Sequence, residues 1–246
     1  MRIALASAAG DALTPRLVAA LRGAGAQVAW FGGGAPLRSD LHPGHWQKSW
    51  HPATARALRK LLREERIEVL HVLHWRALSR DLVHAAARER VPALLSLQDA
   101  SATCLLGTRV LPEGGPCDAP AGPNPCLSCA ARVEPRTPWI PPDAQFLARF
   151  MHQQDLEREL RLARALLVHD AEGREHARRF LGGFEVLEVP TAQLDDALLA
   201  RRMLELYAEA LSAGAPDAGA AENPYATLLA EASAREWDAA AARAGS

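Results

Sequence analysis

Short apolar runs alternate with amphipathic stretches along the first hundred residues of the chain. Nearly continuous apolar runs predict four strands, over residues 2–7, 27–31, 69–73 and 93–97. Apolar residues at helical spacing predict three helices between them, over residues 14–22, 52–66 and 79–90. The strands lack a polar and apolar alternation, so we expect both faces of a parallel sheet to be buried. The pattern therefore predicts an α/β, Rossmann-like domain with helices on both faces of its sheet.

The same rhythm returns after a proline-rich segment. Further elements are predicted as a helix, a strand, a helix and a strand, over residues 143–162, 165–168, 171–181 and 185–189. A closing helix over 191–212, capped at Thr191, has an apolar face formed by Leu194, Leu198, Leu199, Met203, Leu206 and Tyr207. We interpret residues 1–212 as one domain and 213–246 as an Ala-rich linker with a short C-terminal helix.

Composition and charge narrow the functional classes. The chain has 246 residues with 28 basic and 29 acidic side chains, a net charge of -1, which argues against nucleic-acid binding. Charged residues interrupt every apolar stretch before the roughly 20 residues of a membrane span. The N-terminal apolar run meets Gly10 and Asp11, and we interpret it as a strand rather than a secretion signal. We expect a cytoplasmic protein with at most peripheral contact to the inner membrane surface.

All four cysteines lie in one Pro-rich loop, residues 104–129. They are Cys104, Cys117, Cys126 and Cys129, and the last two form a Cys-x-x-Cys pair. In a reducing compartment a cysteine cluster favours metal over disulfides, and four thiolates satisfy a tetrahedral structural zinc. We therefore predict a zinc-stapled loop. Unligated thiols or a disulfide pair, and an iron–sulfur cluster, stay open as alternatives.

Polar side chains follow the predicted strands where each strand ends. The carboxyl ends of parallel strands meet at one edge of a sheet, and open α/β folds bind ligands there. The predicted ligand-binding residues are His45, Trp46, His74, Trp75, Gln98, Asp99, His169 and Asp170. The alternative is that these are solvated loop residues. His71 lies within a strand, and we interpret it as a buried residue with satisfied hydrogen bonds.

Two of these strand ends and the cysteine loop carry a resemblance to a known family. The segments are Val69-Leu-His-Val-Leu-His-Trp75, Val91-Pro-Ala-Leu-Leu-Ser-Leu-Gln-Asp99, Cys104 and the four-cysteine loop. They resemble the N-terminal, acceptor-side domain of family-4-type glycosyltransferases of the GT-B fold. In that family the fourth strand commonly ends in a Thr-Leu-His-Asp-like motif before a cysteine and a Cys-x-x-Cys loop. Segments 165–172 and 185–190 look like the family's approach to the interdomain hinge, so the resemblance covers residues 1–190.

The chain departs from that family at two places. The family's activated histidine corresponds to Gln98, whose amide cannot take up a proton near neutral pH. After Pro190 the family continues into a domain that binds the nucleotide sugar, whereas residues 191–212 resemble the family's closing helix. The resemblance thus implies a half enzyme that does not transfer sugar alone. It would work with a separate donor-domain chain, or serve as a non-catalytic scaffold or carbohydrate-binding partner.

Two other functions remain open at this point. One is a minimal active glycosyltransferase that takes sugar from a nucleotide sugar and uses Asp99 or His74 as its base. The other is a zinc-dependent hydrolase or deaminase in which the cysteine cluster is catalytic and Glu113 assists, which needs an open metal coordination position.

Overall fold

A computed structural model describes residues 1–7, 12–32, 52–74, 78–79, 81–104, 108–111, 113–119 and 155–219. Six strands form one sheet: β1 Arg2–Ala6, β2 Gln27–Phe31, β3 Val69–Val72, β4 Ala93–Ser96, β5 Ala165–Val168 and β6 Val186–Glu188. Every neighbouring pair is parallel, and the strand order is β2-β1-β3-β4-β5-β6. The predicted parallel α/β architecture is confirmed.

Six helices of the described residues flank these strands. They are α1 Leu13–Gly23, α2 Pro52–Glu64, α3 Leu82–Arg88, α4 over residues 155–162, α5 Ala171–Phe180 and α6 Asp196–Ala213. A short 3-10 turn, Ala100–Ala102, follows β4. Within the described ranges, no helix combines the length and the apolar character needed to cross a membrane.

Two apolar cores cover the two faces of the sheet, as the continuous apolar strands predicted. Ile3 and Leu5 of β1 belong to a core that includes residues of α1 and α6. Ala4 and Ala6 belong to the opposite core, which includes residues of α2, α3, α4 and α5. Successive side chains of a strand point to opposite faces, so a strand buried on both faces needs apolar residues at every position.

The order of the strands reverses direction beside β1. The chain steps from β1 to β2 on one side and then returns to place β3 on the other side. The helices α1 and α2 that make these two steps lie on opposite faces, as right-handed crossovers require. This reversal is a topological switch point, and in open α/β sheets the ligand crevice lies at the carboxyl ends of the strands beside it.

The closing helix begins five residues later than predicted, which corrects the boundary and the cap. Residues 191–194 form turns, and α6 starts at Asp196 with Asp195 as its cap. The Asp195 carboxylate accepts a hydrogen bond from Leu198 N at 2.8 Å, the usual N-cap contact. Leu198 is 50% exposed, against the prediction, because the buried stripe of α6 runs through Leu199, Met203, Leu206, Tyr207 and Ala210.

Arg16 of α1 fixes the position at which α6 returns to the sheet. Its guanidinium donates to Thr191 O at 2.7 Å, to Leu194 O, and to the Asp196 carboxylate at 2.8 Å. One side chain thereby binds the whole turn between β6 and α6. The fork geometry of arginine suits such multiple acceptors.

Candidate functional site at the carboxyl edge of the sheet

The ends of β3 and β4 meet at the predicted edge. Backbone N–H groups of Leu73 and His74 both donate to Ala6 O, at 2.8 Å and 3.3 Å, which holds the end of β3 against β1. The His74 imidazole then reaches across to Asp99, with Nε2 lying 3.4 Å from Oδ2. Both side chains are partly exposed, at 26% and 33%. The pair can therefore contact a ligand from solvent.

Ser96, the last residue of β4, connects two histidines of neighbouring strands. Its hydroxyl oxygen lies 2.8 Å from His71 Nε2 and 2.8 Å from His169 Nε2. His169 follows β5, so this contact brings a third predicted ligand-binding strand end to the same place. Ser96 also lines the cavity described below together with His74 and Asp99.

His71 is the buried, hydrogen-bonded residue that its position in the strand predicted. It is fully buried, and its Nδ1 lies 2.8 Å from the Tyr207 hydroxyl. Burial, with a smaller contribution from the neighbouring His169, lowers the pKa of His71 to about 3. The imidazole is therefore neutral at physiological pH.

The cavity that the described residues form at this edge is small. It is lined by Leu73, His74, Ser96, Leu97, Gln98, Asp99 and Ala102, and has a volume of about 10 Å³. That is about the room of one water molecule. Gln98 is exposed at its rim. The edge is thus a compact group of polar side chains on which a ligand would lie, rather than a deep preformed cavity.

A larger depression, of about 580 Å³, lies elsewhere. It is lined by Ala87, Arg88, Arg90 and residues 215–218, at the C-terminal ends of α3 and α6. Those helices run antiparallel to the strands, so this depression lies at the amino edge of the sheet. We place the candidate site at the carboxyl edge because position in the topology, and not volume, decides where such folds bind ligands.

Asp170 has a structural contact of its own. It is the N-cap of α5, and its carboxylate accepts a hydrogen bond from Gly173 N at 2.7 Å. Of the predicted site residues, the structure brings together His74, Gln98, Asp99 and His169, while the Asp170 carboxylate is directed at its own helix. The predictions for His45, Trp46 and Trp75 fall outside the described residues.

A second group of side chains, which the sequence did not predict, lies between the 3-10 turn after β4 and α5. Thr103 Oγ1 lies 2.8 Å from His176 Nε2, and Arg109 Nε donates to the same hydroxyl at 3.3 Å. Burial, and then the charge of Arg109, lower the pKa of His176. Asp99 is among the charges that act on His176. This group therefore adjoins the His74–Asp99 pair electrostatically.

Arg109 holds the described part of the cysteine loop on α5. Its guanidinium lies 3.7 Å from the centroid of the Phe180 ring and donates to the carbonyl oxygens of Cys117, at 3.4 Å, and Ala119. Arg109 is only 9% exposed. A buried cation over an aromatic face is a strong anchor when it is also hydrogen-bonded.

The predicted zinc ligands are only partly described. Cys104 and Cys117 are half-buried free thiols, and Cys126 and Cys129 lie outside the described residues. Across the ranges that the structure covers, no group of three or more His, Cys, Asp or Glu side chains is arranged to hold a metal. Glu113 is exposed on the loop. The zinc site thus stays a prediction.

Fold and edge together define the class as a doubly wound α/β domain with a polar carboxyl edge. No protein-family model matches the chain, and no curated protein matches its sequence. The function therefore has to be inferred from the residues and their geometry.

Proposed function

We propose that this chain is an acceptor-side glycosyltransferase domain that binds a glycosyl acceptor at the carboxyl edge and transfers no sugar alone. The observation that supports it is the meeting of strand-end side chains, with His74 Nε2 3.4 Å from Asp99 Oδ2 and His169 joined to Ser96 at 2.8 Å. Polar groups that converge at the carboxyl edge of a doubly wound sheet, close to its switch point, are a usual setting of a ligand site.

The chemistry of this edge suits a molecule rich in hydroxyl groups. The Asp99 carboxylate accepts hydrogen bonds from hydroxyls, the Gln98 amide donates and accepts, and imidazoles do either according to their tautomer. Gln98 is exposed and Asp99 is one-third exposed, so both can reach a sugar without prior rearrangement of the core. A carbohydrate or glycosyl acceptor is therefore the proposed ligand.

Gln98 is the reason we expect no transfer by the chain alone. In the resembling family a histidine occupies this position, and an imidazole can share in proton transfer whereas an amide cannot. The edge would then orient an acceptor while another protein supplies the activated sugar.

The turn between β6 and α6 supports a donor-binding lobe supplied by a separate chain. In the resembling family the second lobe is inserted after the segment that matches β6. Here Gln193 N donates to Pro190 O at 2.9 Å, and Arg16 binds the carbonyl oxygens of the same turn. The chain thus passes directly from β6 into α6. A scaffold or carbohydrate-binding role without catalysis is the variant of this proposal in which no such partner exists.

The test is sugar transfer with and without a partner. The purified chain is incubated with UDP-glucose and with GDP-mannose, and nucleotide release and transfer to an oligosaccharide array are measured. We expect array binding without nucleotide release. Co-purification from the native host, followed by the same assay on any complex, then distinguishes a half enzyme from a stand-alone binding protein. Transfer by the isolated chain would refute the proposal.

A minimal active glycosyltransferase is the second candidate, favoured by the 3.4 Å contact of His74 with Asp99. Paired carboxylate and imidazole groups are a common arrangement for a general base. If the isolated chain does transfer sugar, Asp99→Asn and His74→Gln should each abolish the transfer. Retained activity in both variants would exclude this pair as the base.

We also propose a structural zinc bound by Cys104, Cys117, Cys126 and Cys129. Four thiolates saturate tetrahedral zinc and leave no position for a catalytic water. Elemental analysis of the purified chain should give one zinc per molecule, and Cys126→Ser with Cys129→Ser should remove it. Iron in place of zinc would indicate an iron–sulfur cluster. The absence of both metals would mean that no metal holds the loop and that Arg109 is its remaining anchor among the described residues. The proposed location is the cytoplasm, where such thiolates persist.

A further inference from the structure

A continuous chain of hydrogen bonds runs from the core beneath α6 to the carboxyl edge. It joins the side chains of Tyr207, His71, Ser96 and His169 in that order, and each of the three contacts is 2.8 Å long. Tyr207 and His71 are fully buried, and Ser96 is 5% exposed. In such surroundings each donor needs an acceptor, because leaving a buried polar group without a hydrogen bond is costly.

The Tyr207 hydroxyl sets the direction of the chain at its buried end. Its hydrogen-bond partner in the described residues is His71 Nδ1. The phenol stays protonated because burial raises its pKa well above the ordinary value. A protonated hydroxyl with a single neighbour must donate to it, so Nδ1 of His71 accepts. If Nδ1 donated instead, the hydroxyl hydrogen of Tyr207 would have no acceptor.

Each later step follows from the one before. His71 is neutral, so a ring that accepts at Nδ1 carries its hydrogen on Nε2 and donates to Ser96. The Ser96 hydroxyl accepts from His71, and its own hydrogen needs an acceptor, which among the described residues is the bare Nε2 of His169. The last nitrogen in the chain therefore accepts. A neutral His169 must carry its hydrogen on Nδ1.

We infer that Tyr207, His71 and Ser96 are positioning residues that fix His169 at the candidate site as the Nδ1–H tautomer. The Nε2 atom of His169 is engaged by Ser96, so Nδ1, which is buried in this structure, is left as the donor of the ring. The group it can meet there is an oxygen acceptor, such as a hydroxyl, carbonyl or carboxylate oxygen. This inference does not depend on the ligand being a sugar.

Reversing the chain shows why this tautomer is favoured. A hydrogen on His169 Nε2 would have to donate to Ser96, Ser96 would then donate to His71 Nε2, and His71 Nδ1 would donate to Tyr207. The Tyr207 hydroxyl hydrogen would be left in an apolar core without an acceptor. The proposed direction instead places the last hydrogen of the network on His169 Nδ1, at the polar carboxyl edge, and not in the apolar core.

Nitrogen-15 NMR of the ligand-free protein reads the tautomers directly, because the protonated and bare ring nitrogens have different shifts and couplings. In the native chain at neutral pH, His71 should show its hydrogen on Nε2 and His169 on Nδ1. A native spectrum with the hydrogen of His169 on Nε2 would overturn the inference, whatever the ligand or activity of the protein.

Two variants test whether the tautomers of His71 and His169 are coupled through the hydrogen-bond chain, which we call the relay, or are set independently. Tyr207→Phe removes the donor that starts the chain, and both histidines should lose their single tautomer and show averaged nitrogen shifts. Ser96→Ala cuts the chain in the middle, so that His71 keeps its tautomer, still held by Tyr207, and only His169 is released. Met203→Leu is the control, a nearly isosteric change one turn before Tyr207 in the same buried stripe of α6 that removes no hydrogen-bonding group of the chain.

These variants also decide the outcome independently of stability. A His169 spectrum that is unchanged in Tyr207→Phe would show that no signal passes from α6 to the edge and would refute the relay. The same shifts in Met203→Leu as in Tyr207→Phe would assign the effect to loosened packing and would equally refute it. If Tyr207→Phe does not fold, the native spectrum and the Ser96→Ala spectrum decide whether the relay exists.

Discussion

Nε2 of His74 lies 3.4 Å from Oδ2 of Asp99, so that the ends of two adjacent strands act as one polar unit. Both side chains are partly exposed, and even a charged pair at such a surface contributes about 1 kcal/mol or less to stability. The fold therefore gains little from this pair, which agrees with the proposal that it binds a ligand. That distinction can be measured.

Asp99→Asn should separate binding from stability. The substitution preserves size but removes the charge that attracts ligand hydroxyls, so we expect affinity for the best oligosaccharide on an array to fall about tenfold, or about 1.4 kcal/mol. The free energy of unfolding in urea should change by less than about 1 kcal/mol. Glu68→Gln, at the amino edge of the sheet, is the matched control and should leave carbohydrate binding unchanged. Equal loss of binding in both variants would contradict a site at Asp99.

Gly32 is required where β2 ends because the backbone passes close to β1. Its φ is +99°, and a Cβ there would meet the carbonyl oxygen of Ser7 and lie 2.8 Å from Leu78 Cδ2. Gly25 has a similar φ of +85° but open space around it. We expect Gly32→Ala to destabilise the protein by about 3 kcal/mol or more, and Gly25→Ala by about 1–2 kcal/mol, in urea unfolding. Equal costs would mean that the backbone angle alone matters and the close approach does not.

Most of the fold could be predicted because its signals are local. The strands around Leu70 and Leu94 are apolar at every position except His71 and Ser96, and a strand buried on both faces requires a nearly continuous apolar pattern. The polar residues that follow them, His74 and Asp99, are consequently found together at one edge. Local sequence also predicted the buried state of His71, a polar residue inside an apolar strand.

The remaining features depend on contacts between residues far apart in the sequence. The start of α6 could not be predicted because Thr191 and Asp195 are both good N-caps, and the choice between them is set by Arg16, which binds Thr191 O. His71 and Tyr207 are 136 residues apart, and no local pattern pairs them. Arg109 was missed because arginine is almost never buried unless it has partners.

Glu159 of α4 is a buried carboxylate that binds the first turn of α3. Its Oε2 accepts from Val83 N at 2.6 Å and its Oε1 from His84 N at 2.9 Å. Burial raises the pKa of Glu159 to about 8, while the charge of Arg158 opposes the shift and that of Asp81 adds to it. The folded protein thus retains a proton on Glu159 that the unfolded chain loses near its ordinary pKa of 4.5.

The pH dependence of stability follows from this difference. Below the unfolded pKa both states are protonated, so stability from Glu159 is fully present there and is lost as the pH rises through about 8. Glu159→Gln does not titrate. We expect the wild type to lose stability relative to this variant between about pH 5 and about pH 9 in urea unfolding. Glu157→Gln, which changes an exposed carboxylate two residues away that contacts Arg161, should show no such difference. A wild type that gains stability over this range relative to Glu159→Gln would show that the carboxylate is ionised in the fold.

Arg109 and Arg179 both approach the Phe180 ring, but only the first is buried. The Arg109 guanidinium carbon lies 3.7 Å from the ring centroid and that of Arg179 lies 5.3 Å away, on an exposed side chain paired with Asp118. The described part of the cysteine loop also contacts the backbone of Arg109, since Cys117 N donates to Arg109 O at 2.8 Å.

Arg109→Lys should therefore loosen the loop while Arg179→Lys should not. Lysine keeps the charge but loses the planar fork that reaches Thr103 and the loop carbonyls, and we expect a cost of about 2 kcal/mol against less than about 1 kcal/mol at Arg179. Amide hydrogen exchange at Cys117 should accelerate in the first variant alone. Both variants are then measured with and without a zinc chelator, to separate the effect of Arg109 from that of the proposed zinc. A thiolate-bound metal would protect the Cys117 amide in Arg109→Lys until the chelator removes it. If exchange at Cys117 is unaffected by Arg109→Lys even with chelator present, the buried arginine does not hold the loop.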